Sequence, residues 1–315
     1  MDALTRKSYA AGHFEFVVDG DRPTAYVRSV DGGWSNASIA DDPVGPDATR
    51  LKQISSVEIE PITVEFGLGG ARDLVSWIAG SWARTDNRRR NGQITHADFD
   101  MRTMFEHEFH DAVITDTTFP ALDGSSREAG YITCKLQPAW VETRALRKPG
   151  PRISGNLSPS QKMWTPAAFR FRIDGIDDMK YVNRLESFTV TTQLKKLPTG
   201  PSRFPQLVPV NVKFPNLSGT LALQYADKLL KWHKDYIGTK EGTFLRDPKA
   251  QLGGAIEFLT PNRADVLFRI KLHEVGLASL KVVPSKANEE QIKRVKFELY
   301  VHQMEIDRSC LSNLA

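Results

Sequence analysis

The feature that most constrains this chain is a motif stated twice. Phe14-Glu-Phe-Val-Val-Asp-Gly20, followed by Tyr26-Val27, recurs 155 residues later as Phe169-Arg-Phe-Arg-Ile-Asp-Gly175, followed by Tyr181-Val182. The same offset carries the alternating run Ile62, Val64, Phe66, Leu68 onto Leu217, Gly219, Leu221, Leu223, and carries Leu74, Trp77 and Trp82 onto Leu229, Trp232 and Ile237. Repeated units bury faces against one another rather than enclosing one catalytic cleft, so function is to be sought first in assembly.

A chain of 315 residues is long enough for two units, each with its own core. The expected division is a first unit over 1–145, a linker over 146–167 and a second unit over 168–315. The linker, Leu146-Arg-Lys-Pro-Gly-Pro-Arg-Ile-Ser-Gly-Asn-Leu-Ser-Pro-Ser-Gln-Lys162, is rich in residues that oppose regular structure. With 40% hydrophobic and 25% charged residues the composition is that of a globular protein, and a net charge of +4 is too small to argue for nucleic acid. The amino terminus has no apolar h-region, and no run of about 18 apolar residues occurs, so synthesis in the cytoplasm without membrane insertion is expected. Cys134 and Cys310 have neither metal nor redox spacing and read as reduced and structural.

Each unit opens with a strand of period two (Phe14, Phe16, Val18; Phe169, Phe171, Ile173) and an Asp-Gly turn. A polar or Pro-rich segment follows, 38–56 in the first unit and 195–208 in the second, expected to be a long loop that contacts a neighbour. Next come a strand (Ile62–Leu68; Leu217–Leu223) and one amphipathic helix whose apolar residues recur at i, i+3, i+4 and i+8, as in Leu74, Trp77, Ile78 and Trp82. Alternating strands complete the unit: Phe105, His107, Phe109 and then 131–141; Val266, Phe268, Ile270, Leu272 and then 295–306. The fold class is mainly β, two tandem copies of a β-barrel or sandwich with one flanking α-helix.

The ordered set resembles the tail tube protein family of contractile phage tails and contractile injection systems. In the second unit the matching stretches are Phe169 to Gly175, Phe214-Pro-Asn-Leu-Ser-Gly-Thr-Leu-Ala-Leu-Gln, Lys228-Leu-Leu-Lys-Trp and Val266-Leu-Phe-Arg-Ile-Lys-Leu-His-Glu-Val. In the first they are Phe14 to Gly20, Ile62-Thr-Val-Glu-Phe-Gly-Leu and Leu74-Val-Ser-Trp-Ile. The resemblance implies side-by-side assembly into a six-membered ring, with rings stacked into a hollow tube. Its implied partners are further copies of the chain, sheath and baseplate proteins, and tape-measure, DNA or protein cargo in the lumen; its implied location is a phage tail or an injection-system particle. Family members commonly carry one unit where this chain has two. Three chains then close a pseudo-sixfold trimer if the units sit side by side, the favoured arrangement, and six chains make a double layer, a hexamer, if they stack. A specialised tube-end or baseplate ring is the alternative within the same machine. A small-molecule-binding barrel or an enzyme is the alternative outside it.

No catalytic, cofactor-binding or metal-binding residue is assigned. Phe66-Gly-Leu-Gly-Gly-Ala-Arg lies between strand and helix where a phosphate loop would, but the second unit makes the same passage with Ala222, Gln224 and Tyr225 in place of the glycines. His107 and His110 point to opposite faces of a strand and cannot share a metal, so His107 reads as a core or interface residue in the column of Ile270. Asp41-Asp42 and Glu289-Glu290 read as solvated charges, and Trp77 and Trp82 as core. Arg88-Arg-Arg90 is either a solvated turn or a contact to an acidic neighbour or DNA.

Overall fold

A computed structural model describes residues 12–20, 23–25, 27–43, 50–84, 89–146, 150–153, 164–198, 200, 204–237, 251–284 and 292–314. Arg88, Glu289, Glu290 and most of the linker lie outside these residues. The first half contains β1 (His13–Val18), β2 (Val27–Asp31), β3 (Ser35–Pro43), β4 (Arg50–Ile59), β5 (Ile62–Phe66), α1 (Arg72–Ala83), β6 (Arg90–Ala97), β7 (Thr103–Phe119), β8 (Leu122–Asp123), β9 (Ile132–Gln137) and β10 (Trp140–Ala145). The second contains β11 (Phe169–Ile173), β12 (Val182–Leu185), β13 (Phe188–Leu197), β14 (Gln206–Lys213), β15 (Leu217–Ala222), α2 (Asp227–Tyr236), β16 (Leu252–Leu259), β17 (Val266–Val282) and β18 (Arg294–Ile306), and ends in a 3-10 turn, Arg308–Leu314. The protein is mainly β, with one α-helix in each half among the described residues.

The strand order is β1-β6-β7-β9-β5-β2 in the first half and β11-β16-β17-β18-β15-β12 in the second, so each strand has its counterpart in the same place. The first sheet curls: β1 returns beside β2 and encloses Phe16, Ile62, Val64, Phe66 and Phe109, all buried on alternate positions of their strands.

The correspondence extends to the defects in the ladders. Register breaks at Val27/Ser29 and Ser38/Ile39 recur 155 residues on, at Val182/Arg184 and Gln193/Leu194. Those at Arg90/Gly92 and His96/Ala97 recur 162 on, at Leu252/Gly254 and Phe258/Leu259, and the one at Ile114/Asp116 recurs 163 on, at Leu277/Ser279. An extra residue on one strand forces a local backbone excursion. Accordingly Asp111 and Glu274, which are counterparts, both adopt left-handed φ, 50° and 53°, and the turn residues Met101 and Arg263 do so at 62° and 58°.

Two expectations are corrected. The segments 38–56 and 195–208 are not long loops: they fall largely within the hairpins β3–β4 and β13–β14. Their polar residues alternate along strands with two solvated faces, a pattern without the apolar alternation that marks a half-buried strand. The closing strand of the first half, read as one run over 131–141, is two strands broken at Pro138-Ala139, because proline has no N–H for the ladder; the second half has no proline there and β18 runs unbroken.

Candidate assembly interface

The two halves are joined edge to edge. β13 pairs antiparallel with the end of β7 (Phe188↔Phe119, Thr189↔Thr118, Val190↔Thr117, Thr191↔Asp116), and β12 pairs with β8 (Leu185↔Leu122, Arg184↔Asp123). On one face of this seam the hydroxyls of Thr118 and Thr189 lie 2.8 Å apart and Thr191 Oγ1 donates to Asp116 Oδ1 at 2.9 Å. On the other, Phe119 stacks on Phe188 with centroids 4.9 Å apart, and Phe258 and Phe268 close around it. Aromatic pairs of this kind add about 0.5–1.5 kcal/mol each beyond the area they bury.

Helix α1 lies against the same seam. Trp82 meets Phe119 of its own half and Phe214 of the other edge-on, at 6.0 and 6.2 Å, while α1 also contacts β18 and the 3-10 turn Arg308–Leu314. Part of the arginine run spans the joint: Arg89 donates through Nε and Nη2 to the Leu207 carbonyl of β14, at 3.1 and 3.0 Å. Arg90 instead lies over the Trp77 ring and pairs with Asp19. At the solvent rim, Lys196 of β13 faces Glu58 of β4 at 3.5 Å. Asp123, beside Arg184, has its carboxyl held below the usual range, first by the Ser125 side-chain hydrogen bond and then by the Ser125 N–H.

The counterpart of this covered face, at the far end of the second half, is open. Val75 (1% exposed), Trp82 (3%) and Phe119 (1%) are covered at the joint; the residues in their places, Leu230 (37%), Ile237 (40%) and Val282 (53%), are not. Among the described residues, β17 beyond Val275 pairs with β18 alone, whereas the matching part of β7 has β13 on its other side. Hairpin β3–β4 forms, among the described residues, a two-stranded sheet by itself, with Trp34, Ile39 and Ile54 exposed, whereas its counterpart β13–β14 is docked. The first half therefore carries an undocked hairpin and the second an unfilled edge.

The outer sheet faces also differ, by charge reversal. Glu15, Glu106, Glu108 and Arg144 of the first half stand where the second has Arg170, Arg269, Lys271 and Asp307. In the second half, Arg170, Arg172 and Arg269 converge on the buried Glu257 carboxylate. Burial by itself would raise the Asp307 carboxyl, but hydrogen bonds from Ser309 and the neighbouring Lys271 and Arg269 outweigh it and hold that carboxyl low.

Of the residues weighed for chemistry, His107 is buried on β7, hydrogen-bonded to Thr143 Oγ1 at 2.9 Å and ringed by Trp34, His96 and Phe105. Burial first, and then His96, push its pKa down to about 4, so it is neutral at pH 7. His110 stacks on Trp140 instead. Trp77 and Trp82 are buried in the core, Cys134 is buried with its thiol pushed up by burial, and Cys310 is a buried free thiol. Among the described residues no group of His, Cys, Asp or Glu is arranged to hold a metal, and no helix is long and apolar enough to cross a membrane. The seam was invisible to sequence reasoning, although the unequal apolarity of the matched positions Thr117 and Leu280 is the kind of signal that marks a face used differently in two halves.

No protein-family model and no curated protein matches the chain. Among solved structures, it is similar to a chain of the extended sheath–tube complex of PVC, an extracellular contractile injection system, at 18% identity and a TM-score of 0.38, covering 45% of this chain and 95% of that one. It is similar to a chain of the PVC sheath/tube terminator (21% identity, TM-score 0.37, 44% of this chain and 99% of that one) and to one of the tube-terminating cap of the anti-feeding prophage (17%, 0.35, 46% and 100%). At these TM-scores the likeness is remote.

Proposed function

We propose that the protein is a non-catalytic structural subunit of the inner tube of a contractile tail or contractile injection system, built from two tandem tube-type units over 1–145 and 168–315. The units sit side by side, and three chains close a pseudo-sixfold trimeric ring around a channel. Rings stack into a conduit inside a sheath, above a baseplate, with tape-measure, DNA or protein cargo in the lumen. The observation that carries this reading is the edge-to-edge seam, in which β13 extends the β7 ladder sideways. A lateral seam favours adjacent positions in one ring over two stacked layers, because the second half adds its strands along the hydrogen-bonding direction of the first. Rigidity would come from that continuous ladder, which leaves no edge strand exposed once the ring closes.

A specialised ring at the tube end or on the baseplate is the second reading, favoured by the reversal of charge between Glu15, Glu106, Glu108 and Arg144 and their counterparts. A ring with alternating acidic and basic faces presents threefold rather than sixfold chemistry to what it touches. Native mass spectrometry and negative-stain microscopy of the purified protein test the proposal. Rings of three 35.3 kDa chains are expected, alone or stacked. Six-chain rings would overturn the side-by-side arrangement, and a monomer at every concentration would overturn the assembly role.

A further inference from the structure

The internal seam is a template for one that the chain cannot complete by itself. The matched register breaks fix which residue of one half stands for which of the other, so the seam can be carried forward residue by residue. We infer that the open end of the second half is a socket for the first half of another copy of this chain, with residues 33–36 of the incoming chain pairing antiparallel with residues 279–282 of β17. In this register Trp34 stands opposite Lys281 and Asn36 opposite Ser279, as Thr189 stands opposite Thr118 and Thr191 opposite Asp116 within the chain. The inference rests on the ring-forming function proposed above and names the surface that would carry it.

Three independent features agree with this occupant. Among the described residues the β17 edge is unpaired where the β7 edge is filled, and an unpaired edge next to exposed apolar side chains is a template for another strand. The outer edge of β3 is likewise unpaired among the described residues, and Ser35 and Asn36 already lie in that strand, so this part of the donor loses little conformational freedom on docking. The rim charges match as well. Glu58 faces Lys196 at the internal seam; their counterparts at the external one are Lys213 and Asp41, both exposed and opposite in sign with the order exchanged. Chance divergence of the two copies has no reason to preserve a complementary pair in which both members changed sign. The contact is heterologous, head to tail, and such contacts build closed rings when the rotation between units closes.

Disulfide trapping decides the register. The protein carrying Asn36→Cys is mixed with the protein carrying Ser279→Cys, oxidised and run without reductant; Trp34→Cys with Lys281→Cys serves as a second pair should one variant disturb folding. The native thiols Cys134 and Cys310 are buried. Cross-linked dimers are expected at a yield about tenfold above that of Ala40→Cys mixed with Lys281→Cys, a pair six residues out of register, since bridging needs Cβ atoms within about 4.5 Å. A double variant, Asn36→Cys with Ser279→Cys in one chain, should give covalent rings. Rings seen by microscopy with no cross-link at either in-register pair would overturn this inference and leave the ring proposal standing. Folded protein that neither cross-links nor assembles would overturn both.

Discussion

The two halves share a backbone plan down to their matched register breaks, the interruption at Pro138-Ala139 apart, yet they differ in what covers them. The face built by Val75, Trp82 and Phe119 is interior in the first half, while the face built by Leu230, Ile237 and Val282 is surface in the second. Topology and burial are thus set separately. Ladder defects recur with the fold of each half, whereas exposure follows from what each half has packed against it.

The largest effect expected from breaking this comparison is at Phe119, buried among Trp82, Phe188, Phe258 and Phe268. Phe119→Ala should cost about 3–5 kcal/mol in chemical denaturation, because the cavity lies where both halves pack. Its counterpart change, Val282→Ala, should shift monomer stability by no more than about 0.5 kcal/mol while weakening assembly measured by sedimentation. Equal losses in the two monomers would show that the faces are not covered and open versions of one another.

The helices offer the next test. Trp77→Ala should cost about 3–5 kcal/mol. Trp232→Ala should fall below that range, because Trp232 borders an open cavity of about 490 Å3 lined also by Asp174, Lys231 and Tyr236, into which water can follow. Matched thermal melts of the two variants check the order.

A smaller difference should appear with pH. His107 stands where the second half has Ile270, and its pKa is depressed from the ordinary 6.5 to about 4. The unfolded chain therefore binds a proton through that window that the native state refuses. The stabilisation is present above pH 6.5 and is lost as the pH falls toward 4, by about 3 kcal/mol in all. His107→Leu should flatten the melting temperature between pH 7 and 4.5, and an unchanged slope would remove His107 as its source. The smallest effect belongs to the rim: Glu58→Gln should cost no more than about 0.5 kcal/mol, since both members of its pair with Lys196 are exposed, and 0.5 M salt should erase the difference.

Much of the fold was legible in the sequence. The 155-residue offset located β1 with β11 and α1 with α2, and the i, i+3, i+4 stripe placed Trp77 and Trp82 in the core. The hairpins were not legible, because β3 and β4 are solvated on both faces and carry no apolar alternation; nor was the break at Pro138-Ala139, hidden inside a run of strand-like residues. The candidate interface was the least legible part. Arg89, whose guanidinium reaches the Leu207 carbonyl 118 residues away, read from sequence as part of a solvated or anion-facing run.

The sequence by itself determined which motifs recur at a constant offset, which residues alternate inward, and where each helix turns its apolar stripe. Those properties depend on side-chain pattern, which sequence records directly. Only the tertiary structure decided that the end of β7 is paired and the end of β17 is not. Strand edges pair through backbone N–H and C=O groups that nearly every residue carries, so the order of side chains does not say which edge has found a partner.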